Sequence, residues 1–410
     1  MASKYRRLVA RGRIAAIPVV AAAAVAGGVV GVAGASAKST GHAAASVSKS
    51  ELAKAKAAVT AAQAAPKWFA PGAKVNGKKA LKGKKIVTFP ISSEIDACNT
   101  KGQQGYLDAE AKALGATVIP LQSNTGPAGW QSDLTQAVTD KASAVVMLCG
   151  PSAAAISPQL ATLKADKIPV VDGNYNQIGS NSSFPTTGLN AESGVNTVQG
   201  VETDFADALV NLKGTPAHVL FLDSPQVAQY SGAYGALQAA IKSYCPGACS
   251  MVKEEDFGTQ DWSGPKEIAA VTSDLQANPS INTVIVTFDG MTDGIENVVQ
   301  SAAGSHPGLK MYAWGGGLAE IKDVQTSGTF VGDSGPDEKW DAYNQLDQVI
   351  RLLSHKSAAP VAKEIAPNIF FTKTNAKIFS VGGAGQSYSD KAYSNGAFVN
   401  DFLKLWEVKK

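Results

Sequence analysis

The pattern of apolar and polar positions changes character at Lys84. From there on, short runs of β-branched and other apolar residues alternate with longer stretches whose apolar residues recur three and four apart. Short continuous apolar runs predict strands covered on both faces, and the longer stretches predict amphipathic helices, so the alternation predicts repeated βαβ units. The predicted strands are Lys85–Pro90, Thr117–Leu121, Ala144–Leu148, Pro169–Val171, His218–Leu222, Met251–Glu255, Thr283–Thr287, Lys310–Ala313 and Thr329–Gly332. Helices such as Thr100–Leu114, Trp130–Lys141, Ala154–Lys164, Gly232–Lys242, Gly264–Ala277 and Gly290–Ala303 fall between them. So many strands fit two sheets of about five each better than one. The fold class expected is therefore α/β, with two doubly wound parallel-sheet lobes, which 410 residues accommodate because single cores stop growing at roughly 250 to 300.

Before Lys84 the pattern is of another kind. Lys4, Arg6, Arg7, Arg11 and Arg13 precede an apolar run from Ile14 to Val32 that closes on Ala35-Ser36-Ala37, the arrangement of a secretory signal peptide over residues 1–37. The competing reading is an uncleaved anchor, since the run approaches the roughly 20 residues a spanning helix needs. Arg6-Arg7 leaves the twin-arginine export route open beside the general one, and no cysteine near the cleavage region supports a lipid anchor. Residues 38–83, rich in Ala, Lys and Ser, read as a linker in which Glu51–Ala65 is a lone helix with little to bury.

Composition narrows the function. With 45% hydrophobic and 17% charged residues and 40 glycines the chain is globular, and disorder is excluded for its bulk. The net charge of +3 comes partly from the first 13 residues and the lysines of Lys74–Lys85, so the body is near neutral or acidic and nucleic-acid binding is not expected. Four cysteines agree with an oxidising compartment. Cys245 and Cys249 flank the turn Pro246-Gly247-Ala248 and are expected to be bridged; no His or Cys pair at zinc spacing supports the competing metal reading.

In doubly wound sheets the ligand sits beyond the carboxyl ends of the strands. There the chain carries Glu94-Ile95-Asp96, Cys149-Gly150-Pro151-Ser152, Asp172-Gly173-Asn174-Tyr175, Asp223-Ser224, Phe288-Asp289-Gly290, Trp314-Gly315-Gly316-Gly317 and Asp333-Ser334-Gly335. The order of elements, together with Asp172-Gly173-Asn174, Thr287-Phe288-Asp289-Gly290-Met291 and Ala313-Trp314-Gly315-Gly316, resembles the periplasmic sugar-binding proteins of the ribose-binding type, the substrate-binding components of ABC importers, over roughly Lys84 to Asn375. The resemblance implies a three-strand hinge, with crossings near Leu189–Ala191, Asp333–Pro336 and Ser357–Pro367. The lobes would then be 84–190 plus 334–361 and 191–333 plus 362–410. It also implies ligand contacts at Asp96, Asn99, Asp172, Asn174, Tyr230, Asp289, Gly315 and Asp333. Three departures stand out: Gly173 where an arginine is common in that family, no arginine near Tyr230, and Gly315 where an aspartate is common.

Carboxylates form paired hydrogen bonds with adjacent hydroxyls, and aromatic faces pack on the C–H side of a sugar ring. Asp96, Asp172, Asp289 and Asp333 suit the first role; Trp314, Tyr175 and Tyr230 suit the second. Asn99 and Asn174 are candidate donors to the carboxylates. For each Asp the competing role is a helix cap, and Trp130, Trp262 and Trp340 read as packing residues. Without arginines nearby, a cationic ligand held by carboxylates and aromatic faces stays open. Cys98 and Cys149 follow strands that neighbour one another in this sheet order, so a second disulfide is expected at the mouth of the N-terminal lobe.

The function expected is capture of a small polar ligand, a sugar by preference, through hinge closure, and its delivery to an ABC importer permease outside the cytoplasm by a monomer needing no cofactor or metal. An enzyme is the first rival, but no nucleophile elbow, zinc helix, P-loop or dinucleotide fingerprint is present. A transcriptional regulator would carry a DNA-binding domain where this chain has its leader. A receptor serving a membrane sensor is not separated from a transporter component. Phe398, Phe402, Leu405 and Trp406 fall at helical spacing and are expected to pack on a lobe.

Overall fold

The computed structural model describes residues 46–92, 98–122, 126–151, 153–177, 188–225, 227–376 and 396–409. In chain order, α1 (Lys49–Ala62) and α2 (Gly77–Leu81) precede β1 (Lys85–Pro90), α3 (Gln103–Ala113), β2 (Thr117–Pro120), α4 (Pro127–Thr139), β3 (Ala144–Leu148), α5 (Ser157–Ala165), β4 (Val170–Gln177) and β5 (Ala191–Val195). The second half holds α6 (Thr197–Asn211), β6 (His218–Asp223), α7 (Ala233–Tyr244), β7 (Ser250–Asp256), α8 (Pro265–Ala277), β8 (Thr283–Val286), α9 (Ile295–Ala302), β9 (Lys310–Trp314), α10 (Leu318–Thr326) and β10 (Phe330–Pro336). Last come α11 (Glu338–Leu353), β11 (Asn368–Thr372) and α12 (Ala397–Leu405).

Two sheets result, in the orders β2-β1-β3-β4-β5 and β11-β10-β9-β8-β6-β7. All pairings are parallel except that of β10 with β11. Each sheet is buried on both faces, which is why its strands read as continuous apolar runs. In β1, Ile86 joins the core under α3 and α11 while Val87 and Phe89 join the one under α4 and α5. In the second sheet, Phe221 and Tyr312 face α6 and α7, and Leu222 and Ala313 face α8 and α9. The expected α/β architecture of two lobes is thus observed.

The boundaries differ from expectation in four places. β5 pairs with β4 and belongs to the first sheet, so the chain leaves that lobe after Val195 and not before Ala191. The second crossing lies between Pro336 and Glu338, where Asp337 caps α11 by accepting from the Trp340 amide at 2.8 Å, and α11 packs on α3, β4 and β5. The third runs back to β11 and is tied to the first: the Gly194 amide donates to the Glu364 carbonyl at 2.8 Å and Ala366 donates to the Gly194 carbonyl at 3.1 Å. α12, placed in the second lobe by the expected division, lies on the first, where Phe398, Phe402, Leu405 and Trp406 are buried with Trp340, Tyr343 and Leu346 of α11.

The fourth difference is residues 38–83, whose described part is no spacer. α1 buries Ala55 and Val59 against α6 and α7 of the second lobe. Gln63 donates to Thr372 at 3.1 Å, and the chain then passes to the first lobe, where Trp68 meets Phe402 edge-on and the Val75 amide donates to the Leu405 carbonyl at 2.9 Å. Small alanines at the buried positions hid this contact, because an Ala-rich helix shows almost no apolar stripe. Residues 1–45, with the expected signal peptide, lie outside the described residues. No helix among the described residues is long and apolar enough to cross a membrane.

Candidate functional site

In the first lobe the strand ends converge on Asp172. Its backbone pairs with Met147 of β3 and Glu192 of β5, and its carboxyl overlies Gly150 at the end of β3. The side chain is wholly buried, and neither oxygen has a hydrogen-bond partner of good geometry. Burial, reinforced by Glu192, pushes its pKa well above the ordinary carboxyl value, with only the Gly173 amide opposing.

Behind it, a Cβ at Gly173 would lie 2.1 Å from the Gln345 amide of α11, which itself donates to Gln103 at 3.0 Å and Asp341 at 3.1 Å. Ser193 donates to the other oxygen of Asp341 at 2.9 Å. Any side chain at position 173 would meet this α11 glutamine.

Cys98 and Cys149 are bridged, as the sheet order implied, and so are Cys245 and Cys249. The first bridge ties the turn before α3 to the end of β3. Asn99, in that turn, is buried and accepts from the Lys101 amide at 2.8 Å, so its side chain has a turn-forming role. Asp96 lies outside the described residues, and of Asn174 and Tyr175 only the backbone in β4 is described.

In the second lobe, four aromatic rings gather at the ends of β6, β8 and β9. Tyr230 stacks on Phe288 with centroids 5.7 Å apart and meets Trp314 edge-on at 6.0 Å; Phe288 meets Trp262 at 4.9 Å. Tyr230 and Trp314 are buried, Phe288 and Trp262 half-buried. The end of β4 in the first lobe lies against the turn Ala228–Tyr230, so both lobes meet at this cluster.

Carboxylates surround it. Asp223 accepts from the Ser224 amide at 2.7 Å, and the Ser224 hydroxyl accepts from the Trp262 indole at 3.2 Å. Asp289 accepts from the Gly317 amide at 2.7 Å and fills the place a Cβ at Gly315 would take, 2.1 Å from its carboxyl carbon. That overlap accounts for glycine where the sugar binders often carry aspartate. Asp333, wholly buried, has one oxygen within 3.4 Å of the Gly316 amide and the other unpartnered.

Burial raises all of these groups: Asp289 to about 6 against the Gly317 and Gly290 amides, and Asp223 to about 7 with Asp256 and Glu254 adding to the shift. Glu320 reaches about 8 through burial and the charge of Asp289. Asp333 rises well above its usual range from burial and then from Asp289 and Glu320. Part of the carboxylates' work is structural, since Asp289 and Asp333 hold the Gly315–Gly317 loop at the start of α10.

The structure therefore gathers Tyr230, Asp289, Trp314 and Asp333 on one wall and places Asp172 at the strand ends of the other lobe. The ligand contacts expected from the sequence do not include Phe288, Asp223, Glu320 or Trp262. The first two stand directly after predicted strands, the signal used for the others. Trp262 was read as packing; Trp130, which donates to the Ile91 carbonyl at 2.8 Å, and Trp340, stacked 4.7 Å from Phe398, do pack.

The two α/β lobes have the type I periplasmic fold, and solved structures with that fold superpose on this chain. A periplasmic solute-binding protein of an ABC transporter from Actinobacillus succinogenes, with bound D-allose, aligns at a TM-score of 0.61 and 15% identity, covering 72% of this chain and 100% of its own. The 5-methylthioribose transporter solute-binding protein from Thermotoga lettingae aligns at 0.60 and 13% identity over 80% of this chain and 98% of its own. A solute-binding protein from Mycobacterium smegmatis with bound glycerol aligns at 0.59 and 17% identity over 74% and 99%. No protein-family model and no curated protein sequence matches.

Proposed function

We propose that this chain is an exported solute-binding protein that captures a small polyhydroxylated solute between its lobes and delivers it to an ABC importer permease, without catalysing a reaction. The observation that supports this best is the pairing of two unlike walls at facing strand ends, Asp172 on one lobe and the Tyr230–Phe288 ring stack with Asp289 on the other, joined by three hinge segments. Structures of the same fold hold D-allose, myo-inositol and 5-methylthioribose, all polyhydroxylated. A closed form is favoured by whatever contacts the solute makes with both lobes at once. The predicted leader supports export, and two disulfides suit an oxidising compartment.

A thermal-shift panel of aldoses, ketoses, polyols and cyclitols at millimolar concentration tests the reading. A solute bound with micromolar affinity stabilises by roughly 4 kcal/mol at a thousandfold excess over Kd. The expected result is a saturable rise in Tm for one or a few related compounds. A flat response across the panel, or turnover of a bound sugar, would overturn it.

A further inference from the structure

The second-lobe wall gathers carboxyl groups that no described cation offsets. The hydroxyl of Tyr230 lies in the fields of Asp223 and Asp289. The charged groups acting on Asp223 are Asp256 and Glu254; those on Asp333 are Asp289, Glu320 and Asp204; those on Glu320 are Asp289, Asp293 and Asp323. All are carboxylates. The pairs Lys253–Glu255, Lys266–Asp261, Arg351–Asp347 and Lys404–Asp401 among the described residues do not include Asp223, Asp289, Glu320 or Asp333. Helix N-termini nearby supply partial positive charge, yet burial still dominates each of these groups.

Two further observations point to a missing donor. Asp333 is wholly buried with one oxygen unpartnered, and Asp172, across in the first lobe, is wholly buried with no partner of good geometry on either oxygen and only the Gly173 amide nearby. Buried acceptors without donors are costly, and in the second lobe the half-buried rings of Phe288 and Trp262, 4.9 Å apart, offer π-faces in the cluster with Tyr230 and Trp314. A neutral sugar supplies hydroxyl donors but no charge. An ammonium group supplies three donors, a compensating charge and a partner for ring faces.

We propose that the solute is an aminated sugar or polyol whose ammonium group docks against Asp223, Asp289 and the Tyr230–Phe288 ring stack, while its hydroxyls meet Asp172. The inference rests on the solute-binding reading and narrows its ligand class. Binding then draws Asp223 and Asp289 into their charged forms, so affinity falls as they are protonated between about pH 7.5 and pH 5.5; Asp256 and Glu254 face Asp223, and Glu320 and Asp333 face Asp289.

The test is calorimetric titration of the purified protein at pH 7.5 and low salt with matched pairs: glucose and glucosamine, galactose and galactosamine, sorbitol and 1-amino-1-deoxysorbitol. The expected result is that in at least one pair the amine binds tenfold or more tighter. Added salt and lower pH should both shrink the advantage, and Asp223→Asn or Phe288→Leu should cut it several-fold while far-ultraviolet circular dichroism stays unchanged. Binding of the neutral member as tightly as, or more tightly than, the amine would overturn this inference and leave the proposed function standing. Absence of binding by every member of every pair would count against both.

Discussion

At the scale of single residues, the candidate site is built from groups that cost stability. Asp172 has no cation beside it, and Asn in its place keeps the shape while removing the ionisable proton and charge. Asp172→Asn is therefore expected to weaken binding of the stabilising solute tenfold or more without lowering the Tm of the free protein, as read by titration and scanning calorimetry; unchanged affinity would remove Asp172 from the site. The raised pKa values also fix a pH dependence. Asp289, Asp223 and Glu320 sit at about 6, 7 and 8 in the fold, against ordinary values of 3.8 and 4.5. Their protonated forms are the ones the fold prefers, so the stability they contribute is fully present below about pH 4 and is lost as pH rises through 6 to 8. The ligand-free protein should melt higher at pH 5.5 than at pH 8, and the opposite order would contradict the burial described here. Strand-end aspartates were legible in the sequence because the position of a strand end fixes where a side chain can point. The glycine departures were visible there too, but not their cause, which lies in Gln345 and Asp289 approaching from distant segments.

At the scale of elements, the predicted strands from Lys85 to Gly332 were recovered because an apolar run bounded by turns is a local signal. β5 was not, since Ala-Glu-Ser-Gly-Val carries two polar side chains, of which Ser193 donates to the distant Asp341. α11 was likewise missed: it is buried along almost its whole length, polar side chains included. Its Arg351 pairs with Asp347 in the interior; Asp347 also accepts from the Trp406 indole at 2.7 Å, and Arg351 donates to the Ala73 carbonyl at 3.1 Å. This junction fastens the N-terminal segment and α12 to the first lobe. Removing one partner strands a buried charge, so Arg351→Ala is expected to cost about 3–5 kcal/mol in denaturant unfolding. A loss within the range of an exposed pair, about 1 kcal/mol or less, would show that the junction is not closed to water.

At the scale of the whole molecule, the lobes are linked by more than a three-strand hinge. The segment from α1 to α2 begins on the second lobe and ends on the first, and the chain returns from β11 in the second sheet to α12 on the first lobe. The two-lobe plan was legible in the sequence, because alternation of strands and helices over more than 250 residues leaves few other architectures. The extra straps were not, since their contacts join segments hundreds of residues apart. Closure around a solute must then occur with these straps in place, and its extent is what separates a solute-binding protein from a rigid domain of the same fold. Small-angle X-ray scattering of the protein with and without the solute that most raises its Tm measures this directly. The account predicts a smaller radius of gyration at saturation, returning to the free value when the solute is dialysed away; identical scattering with the solute bound would contradict hinge closure.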